Sequence, residues 1–301
     1  MVKKEQPLQG RPLIDVLAVV GVGLIGGSFA LALRRAGVVG RIIGVGRSQE
    51  TLRRAVDLGL VDETASAQDA AQQADIIFLS TPIGAMQGVL QSMQPYLRSN
   101  ALITDGGSTK HDVVKAARLA LGEKIAHFIP GHPIAGAETT GPEAAYAELY
   151  DDRNVILTPL EENSQADRDR LSRIWQSCGA RVMFMDPYVH DQVLASVSHV
   201  PHFLASVFMG QVASAANSDQ RFALAGTGFR DFTRIAAGSA EVWRDIFLSN
   251  REAVLAELDE VRLALDAAQQ ALQAEDGQAL YDFLERAAVA RRFWASRSGL
   301  K

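Results

Sequence analysis

The segment Gly21-Val22-Gly23-Leu24-Ile25-Gly26 constrains this chain more than any other six residues. It follows directly on an apolar, β-branched run at residues 13–20 (LIDVLAVV) and opens a stretch of helical spacing, SFALALRRAG, that closes at Gly37. A G-x-G-x-x-G turn alone is a weak signal, but between a strand and a helix it marks a turn able to cradle a pyrophosphate. Gly21 permits the tight turn, Gly23 lets a phosphate approach the backbone, and Gly26 lets the helix pack closely on the sheet. The helix start adds unpaired N–H groups and the positive end of the helix dipole. The competing reading is a glycine-rich turn with no ligand.

The rest of the first half weighs against that alternative. Apolar runs at residues 41–45, 76–80, 101–104, 126–129, 154–157 and 181–185 predict strands. Between them, helical spacing is visible at residues 49–58, 84–93, 109–121 and 165–178. Short apolar runs alternating with helices predict a parallel sheet covered on both faces. After about residue 186 the strand pattern stops and the chain reads as helical, with final helices expected near 241–263 and 264–297. The expected architecture is an α/β Rossmann domain, a mostly parallel doubly wound sheet over residues 1–186, followed by an all-α domain over 187–301. The helical half is short for an independent core, so it is expected to bury apolar surface against a second copy of itself.

Composition narrows the class. A chain of 301 residues with 48% hydrophobic and 22% charged residues fits two soluble globular domains. The net charge of −5 weighs against a nucleic-acid partner. The single cysteine, Cys178, builds neither an internal disulfide nor a multi-cysteine zinc site, and it reads as a small packed hydrophobe. The first apolar run is too short for a membrane span and no cleavage signal follows it, so a cytoplasmic location is expected. Residues 192–218 carry no formal charge, but their histidines, Pro201, Gln211, Asn217 and serines point to a protein helix rather than a membrane one.

The end of the second strand bears on the cofactor. An NAD enzyme usually places Asp or Glu there to bind the ribose 2′-hydroxyl. Here the sequence runs Gly44-Val45-Gly46-Arg47-Ser48. A guanidinium grips a 2′-phosphate that a carboxylate would repel, so NADP is expected over NAD, with NAD still possible. The alternative is that Arg47 is a solvated surface residue. The expected cofactor-binding set is Gly21, Gly23, Leu24, Ile25, Gly26, Arg47, Ser48, Ser80, Thr81 and Pro82.

Several residues carry candidate chemistry. His132 sits in Gly131-His132-Pro133-Ile134-Ala135-Gly136, read as a loop at the sheet edge where ligands bind. Ser108, in Asp105-Gly106-Gly107-Ser108, follows the preceding strand towards the same crevice. A structural histidine is the alternative for His132. His199 and His202 share a helix face, but no carboxylate or cysteine joins them at helical spacing and Pro201 interrupts, so no metal is expected. The segment from Gly228 to Arg234 offers two arginines, which surface ion pairs would also explain.

Taken together, VGVGLIGGS, DGGSTK, GHPIAGAE, VSHVPH, GFRDFTRIA and EVWRDIF resemble the prephenate/arogenate (cyclohexadienyl) dehydrogenases of tyrosine biosynthesis. The resemblance covers nearly the whole chain after about Leu13, so neither a chorismate mutase domain before it nor a regulatory domain after it is expected. It implies oxidative decarboxylation of prephenate, arogenate or both, with hydride passing to NAD(P), giving 4-hydroxyphenylpyruvate or tyrosine. It implies that His132 draws off the proton of the ring 4-hydroxyl, while Ser108 holds the imidazole and contacts the same hydroxyl. Arg234 matches the arginine that binds the ring carboxylate. His190, Ser198, His199, His202 and Trp243 match pocket positions, and Glu138 matches a gating or pocket acid. The helical half matches a dimerisation domain, implying a homodimer. The departure from NAD-using relatives is Gly46-Arg47-Ser48. A β-hydroxyacid-dehydrogenase-like enzyme would need a lysine in the helical half, and after Lys124 the next lysine is Lys301. An NADP-binding sensor without turnover would have no use for His132 and Arg234.

Overall fold

The computed structural model of the chain describes residues 12–137 and 139–298. Strand β1 (Ile14–Val20) leads through the glycine turn into α1 (Leu24–Ala36), which Gly37 closes in the left-handed conformation at φ 69°. There follow β2 (Val39–Val45), α2 (Gln49–Asp57), β3 (Glu63–Thr64), α3 (Ala67–Gln73), β4 (Ile76–Leu79), α4 (Ile83–Met93), β5 (Leu102–Asp105), α5 (His111–Leu121) and β6 (Phe128–Ile129). These six strands form one parallel sheet in the order β3-β2-β1-β4-β5-β6. The order reverses between β1 and β4, which opens a crevice beyond the carboxyl ends of those two strands.

The central strands of this sheet are apolar on both faces because each face carries its own core, whereas the edge strand β3 is polar and exposed. On one side Phe29, Phe78, Tyr150 and Trp175 pack together, with Phe29 and Phe78 rings 4.4 Å apart and Phe29 and Trp175 rings 4.5 Å apart. On the other, Met86, Leu90, Met93 and Phe128 cover Ile43, Ile77 and Ile103.

The structure departs from the sequence reading in several places. Neither β3 nor α3 was expected: two residues carry no alternating pattern, and α3 (AQDAAQQ) lacks an apolar stripe, although Ser66 caps it by accepting from Asp69 N–H. Residues 131–133 are a strand, not a loop. This β7 (Gly131–Pro133) pairs antiparallel with β8 (Asn154–Leu157), which runs parallel to β9 (Arg181–Phe184) in a separate three-stranded sheet. Pairing between segments so far apart in sequence sets the conformation of Gly-His-Pro, which local propensity does not. Helix α6 (Gln165–Ser177) covers the first core through Leu171, Ile174 and Trp175.

Beyond β9 the chain is helical. Asp186 caps α7 (Pro187–Leu194), a π-helical turn follows at Ala195–His199, and α8 (Val200–Ala213) continues from it. Pro201 therefore does not interrupt the run; it falls in the first turn of α8, where a missing N–H is tolerated. The 27-residue run Pro187–Ala213 is long and apolar enough to cross a membrane by length and composition, its most apolar 18-residue stretch having mean hydropathy 1.4. Here His190, Asp191 and His199 of that run are buried in polar contacts within the protein. Next come α9 (Ser218–Ala223), α10 (Thr227–Thr233) and α11 (Ala240–Ser249). The helix expected over 241–263 is broken at Asn250, whose side chain is committed to the site described below. The final helices are α12 (Arg251–Gln273) and α13 (Gly277–Ser298), joined by a turn in which Glu275 adopts φ 51°.

The chain divides into two compact units, one ending at Asn250 and the other beginning at Arg251. This division falls later than the change of sequence period at residue 186. The second unit is the hairpin of α12 and α13, and it leaves Leu263, Leu265, Leu284, Phe293 and Trp294 exposed.

Candidate active site

The crevice at the β1–β4 reversal is a groove of about 700 Å³ lined by the glycine turn, the ends of β2 and β4 and the starts of α2 and α4. Gly21 holds φ 97°, and a Cβ there would lie 2.7 Å from the Ser80 carbonyl oxygen. A Cβ on Gly26 would collide with the Gly21 carbonyl oxygen and Ser80 Oγ. Around Gly23 the space is open, with nothing within 4 Å of where its Cβ would stand. Gly23 is also the N-cap of α1 and offers no side-chain cap, so the first amides of α1 remain available. Ser80 holds the turn from the other side, its hydroxyl donating to the Gly21 carbonyl at 2.6 Å. Thr81 Oγ1 is buried and has no hydrogen-bond partner among the described residues. A tight turn, an open approach, free helix amides and an orphaned hydroxyl fit a dinucleotide.

Among the described residues that line the groove none is Asp or Glu. Arg47 lies on it, exposed, with no hydrogen bond or ion pair to any described residue. Ser48 lies beside it and caps α2 by accepting from Thr51 N–H at 3.2 Å. A second cavity of about 420 Å³ shares Gly23, Arg47, Ser80, Thr81 and Pro82 with the groove, and adds Leu24, Ile25 and Ser108.

Close to the end of β5 the chain buries a cluster of charged and imidazole side chains. His132 is brought there by β7, its backbone register fixed opposite Ile156. Its Nδ1 lies 2.9 Å from His190 Nε2, and His190 Nδ1 lies 2.7 Å from Asp191 Oδ1. Asp191 also caps α5, accepting from Lys110 N–H at 2.7 Å and His111 N–H at 2.8 Å. Asn250 donates to the Asp191 carbonyl at 2.8 Å and contacts His199 Nδ1 at 3.0 Å, tying α7, the π-helical turn and the end of α11 together. Beneath His132, the Lys110 ammonium is fully buried and donates to Asp105 Oδ2 at 2.5 Å and to the Gly131 carbonyl at 2.6 Å. Asp105 in turn accepts from Gly107 and Gly131 N–H at 2.8 and 3.0 Å.

Burial governs the ionisation here. It pushes the His132 imidazole well below its ordinary range, and the nearby His190, Lys110 and His199 push the same way. Burial lowers His190 as well, against the pull of Asp191. His199 is pushed down to about 4 by burial. Burial works to raise Asp191, but the bonds from His190 and the two amides outweigh it and hold the carboxyl below its usual range. Burial likewise lowers Lys110 against the opposing charge of Asp105. At neutral pH His132 is therefore an uncharged imidazole, and its Nε2 has no partner among the described residues.

His202 donates Nδ1–H to the Ser198 carbonyl at 2.9 Å and stacks on Trp243 with ring centroids 3.6 Å apart. His199 meets the edge of the same indole at 6.4 Å. Arg234 begins a 3₁₀ turn after α10, and its charge lowers the His202 pKa, behind burial as the larger cause. His132, His190, Ser198, His199, His202, Trp243 and Arg234 thus belong to neighbouring segments of the first unit. Two expectations fare differently. Among the described residues no hydrogen bond joins Ser108 to His132; the imidazole is held by His190 instead. Glu138 lies outside the described residues. Lys110, Asp191 and Asn250 were not singled out from sequence. The only hint was adjacency, since Lys110 closes DGGSTK and Asp191 follows His190.

A glycine-cradled dinucleotide groove beside a buried neutral imidazole defines a dinucleotide-dependent oxidoreductase of the Rossmann type. Comparison with known proteins narrows the class. The family model described as "Prephenate dehydrogenase, nucleotide-binding domain" matches residues 29–184, and "Prephenate dehydrogenase, dimerization domain" matches residues 186–286. The chain is 34% identical to the cyclohexadienyl dehydrogenase of Zymomonas mobilis over 278 residues, covering 91% of this chain and 94% of that one. It is 34% identical to the prephenate dehydrogenase of Bacillus subtilis over 278 residues, covering 91% of this chain and 74% of that one. The crystal structure of prephenate dehydrogenase from A. aeolicus in complex with hydroxyphenyl propionate and NAD+ superposes with TM-score 0.86 at 34% identity, covering 95% of this chain and 99% of that one. Synechocystis arogenate dehydrogenase superposes with TM-score 0.81 at 31% identity, covering 93% and 99%. This chain belongs to the prephenate dehydrogenase family.

Proposed function

We propose that this chain oxidatively decarboxylates prephenate, arogenate or both, giving 4-hydroxyphenylpyruvate or tyrosine, and that it uses NADP+ in preference to NAD+. The bound nicotinamide supplies a hydride acceptor for ring C4. The work of the chain is to position the ring and take up one proton. His132 Nε2 accepts the 4-hydroxyl proton as the hydride departs, loss of CO₂ from C1 makes the ring aromatic as a phenolate, and the proton returns to that oxygen. A neutral imidazole suits that role because it is unprotonated at working pH. Ser108 contacts the same hydroxyl, and Arg234 binds the ring carboxylate through its planar fork. Ser198, His199, His202, Trp243 and Glu138 shape the pocket for the ring and its side chain. The observation that carries this reading is His132 itself, its Nδ1 engaged by His190 and its Nε2 left open.

The preference for NADP+ rests on Arg47, which has no partner among the described residues on a groove wall without acidic residues. In Arg47→Ala, affinity for NADP+ is expected to fall by about tenfold or more, as for a lost charge-assisted contact worth roughly 1.5–3 kcal/mol. Affinity for NAD+ should barely change. Fluorescence titration with both dinucleotides checks this, and equal losses for the two would remove the 2′-phosphate argument.

We also place the boundary between cofactor and helical domains at residues 186/187, supported by the two family models, which end and begin at 184 and 186. The matched dimerization domain and the exposed apolar side chains of α12 and α13 support a homodimer. Light scattering at micromolar concentration is expected to give the mass of two chains. A mass of one chain would contradict the dimer.

A further inference from the structure

We propose that His190 and Asp191 form a positioning dyad that fixes the tautomer of His132, forcing its proton onto Nδ1 and its lone pair onto Nε2. This rests on His132 being the proton acceptor, as argued above.

The polarity of the chain follows from one end. Asp191 receives two backbone N–H donors, from Lys110 and His111, at the start of α5. Backbone amides only donate, so Asp191 is an acceptor there, and a carboxylate in that setting stays ionised. His190 Nδ1, 2.7 Å from the same carboxylate, must then carry a hydrogen. A neutral imidazole carries one hydrogen, so His190 Nε2 is left as a lone pair. His132 Nδ1 sits 2.9 Å from that lone pair and must donate to it. The remaining nitrogen of His132, Nε2, is therefore a lone pair with no partner among the described residues. Three consecutive hydrogen bonds leave a single consistent arrangement.

Two further observations support the assignment. His190 is fully buried, so it stands behind His132 rather than on the pocket surface. His199 takes the opposite tautomer: Asn250 Nδ2 donates to the Asp191 carbonyl and to His199 Nδ1, which places the His199 hydrogen on Nε2. The site thus sets its imidazoles individually. A free imidazole favours the hydrogen on Nε2, the wrong arrangement for a base presenting Nε2 to substrate. When His132 takes the substrate proton, its Nδ1–H bond to His190 becomes charge-assisted, with Asp191 polarising the far side. This is the logic of a carboxylate orienting a catalytic histidine, with one imidazole interposed.

The first test needs no turnover. Long-range ¹H–¹⁵N spectra of the histidine side chains at pH 7.5, with His132 assigned by loss of its signals in His132→Asn, are expected to show the Nδ1–H form. An Nε2–H form at His132 in the unsubstituted protein overturns the proposal, whatever the enzyme turns over. The second test is kinetic. His190→Phe removes the acceptor and is expected to lower kcat by about 10²-fold, at the low end of what a positioned base contributes, with the KM for the ring acid and the Kd for NADP+ unchanged. The His132 signals should shift to the Nε2–H form in that variant. His190→Gln, whose carbonyl can accept from His132 and whose amide can donate to Asp191, is expected to recover part of kcat. Wild-type kcat in His190→Phe, or equal loss in the Phe and Gln variants with melting curves unchanged, would overturn it. If no ring acid is turned over but the Nδ1–H form is found, the functional reading fails and the tautomer assignment stands.

Discussion

His132→Asn is expected to lower kcat by about 10²–10⁴-fold while leaving NADP+ affinity near that of the parent protein. Asparagine keeps a donor of similar reach but offers no basic nitrogen, so the 4-hydroxyl proton loses its acceptor. The cofactor groove is built from the turn after β1 and the starts of α2 and α4, none of which includes His132. The loss should therefore appear in kcat and kcat/KM together. Because burial holds the imidazole well below its ordinary range, the acid limb of kcat/KM should fall below pH 6.5. Steady-state kinetics between pH 5 and 9 check both points. An active Asn variant would remove His132 from the role.

Lys110→Met is expected to cost about 3–5 kcal/mol of stability, the usual consequence of removing one partner from a buried ion pair. The Lys110 ammonium is fully buried against Asp105 and the Gly131 carbonyl. Without it the Asp105 carboxylate keeps two amide donors but loses its counter-charge, and the Gly131 carbonyl loses a donor. For a unit of this size, each kcal/mol lowers Tm by about 2–4 °C, so a fall of roughly 6–20 °C is expected. Activity should fall as well, because Gly131 adjoins His132 and its position depends on that pair. Calorimetry measures the first effect. A Tm unchanged in Lys110→Met would show that the pair contributes nothing to the fold.

The parts of this molecule that local pattern determines were readable in the sequence. The glycine turn, the strands on either side of it and the alternation with helices gave a parallel sheet, because strands buried on both faces carry unbroken apolar runs. Arg47 was visible because the ribose position falls at a fixed distance from that turn. His132 stood out through its flanking glycine and proline and through resemblance, although its strand was missed, since β7 exists only by pairing with β8.

The relation among His190, Asp191 and His199 was not readable. Asp191 and His199 are eight residues apart, which on an α-helix of 3.6 residues per turn would leave them about 80° apart around the axis. The π-helical turn at Ala195–His199 inserts an extra residue into that count and brings His199 round, so that Asn250 bonds both it and the Asp191 carbonyl. Helical spacing counted along the sequence cannot register such a turn. The role of Lys110 is hidden from local sequence for a similar reason. A lysine is ordinarily a surface residue, and its burial here depends on Asp105 and the Gly131 carbonyl converging on it from two strands.

The most direct measurement is the initial rate at the reduced-nicotinamide absorbance band, with prephenate and arogenate each paired with NAD+ and NADP+. Turnover is expected with at least one ring acid, with the larger kcat/KM in the NADP+ reactions. No turnover in any of the four pairings, with the protein folded and NADP+ bound, would contradict the proposed reaction and leave a dinucleotide-binding protein without dehydrogenase activity.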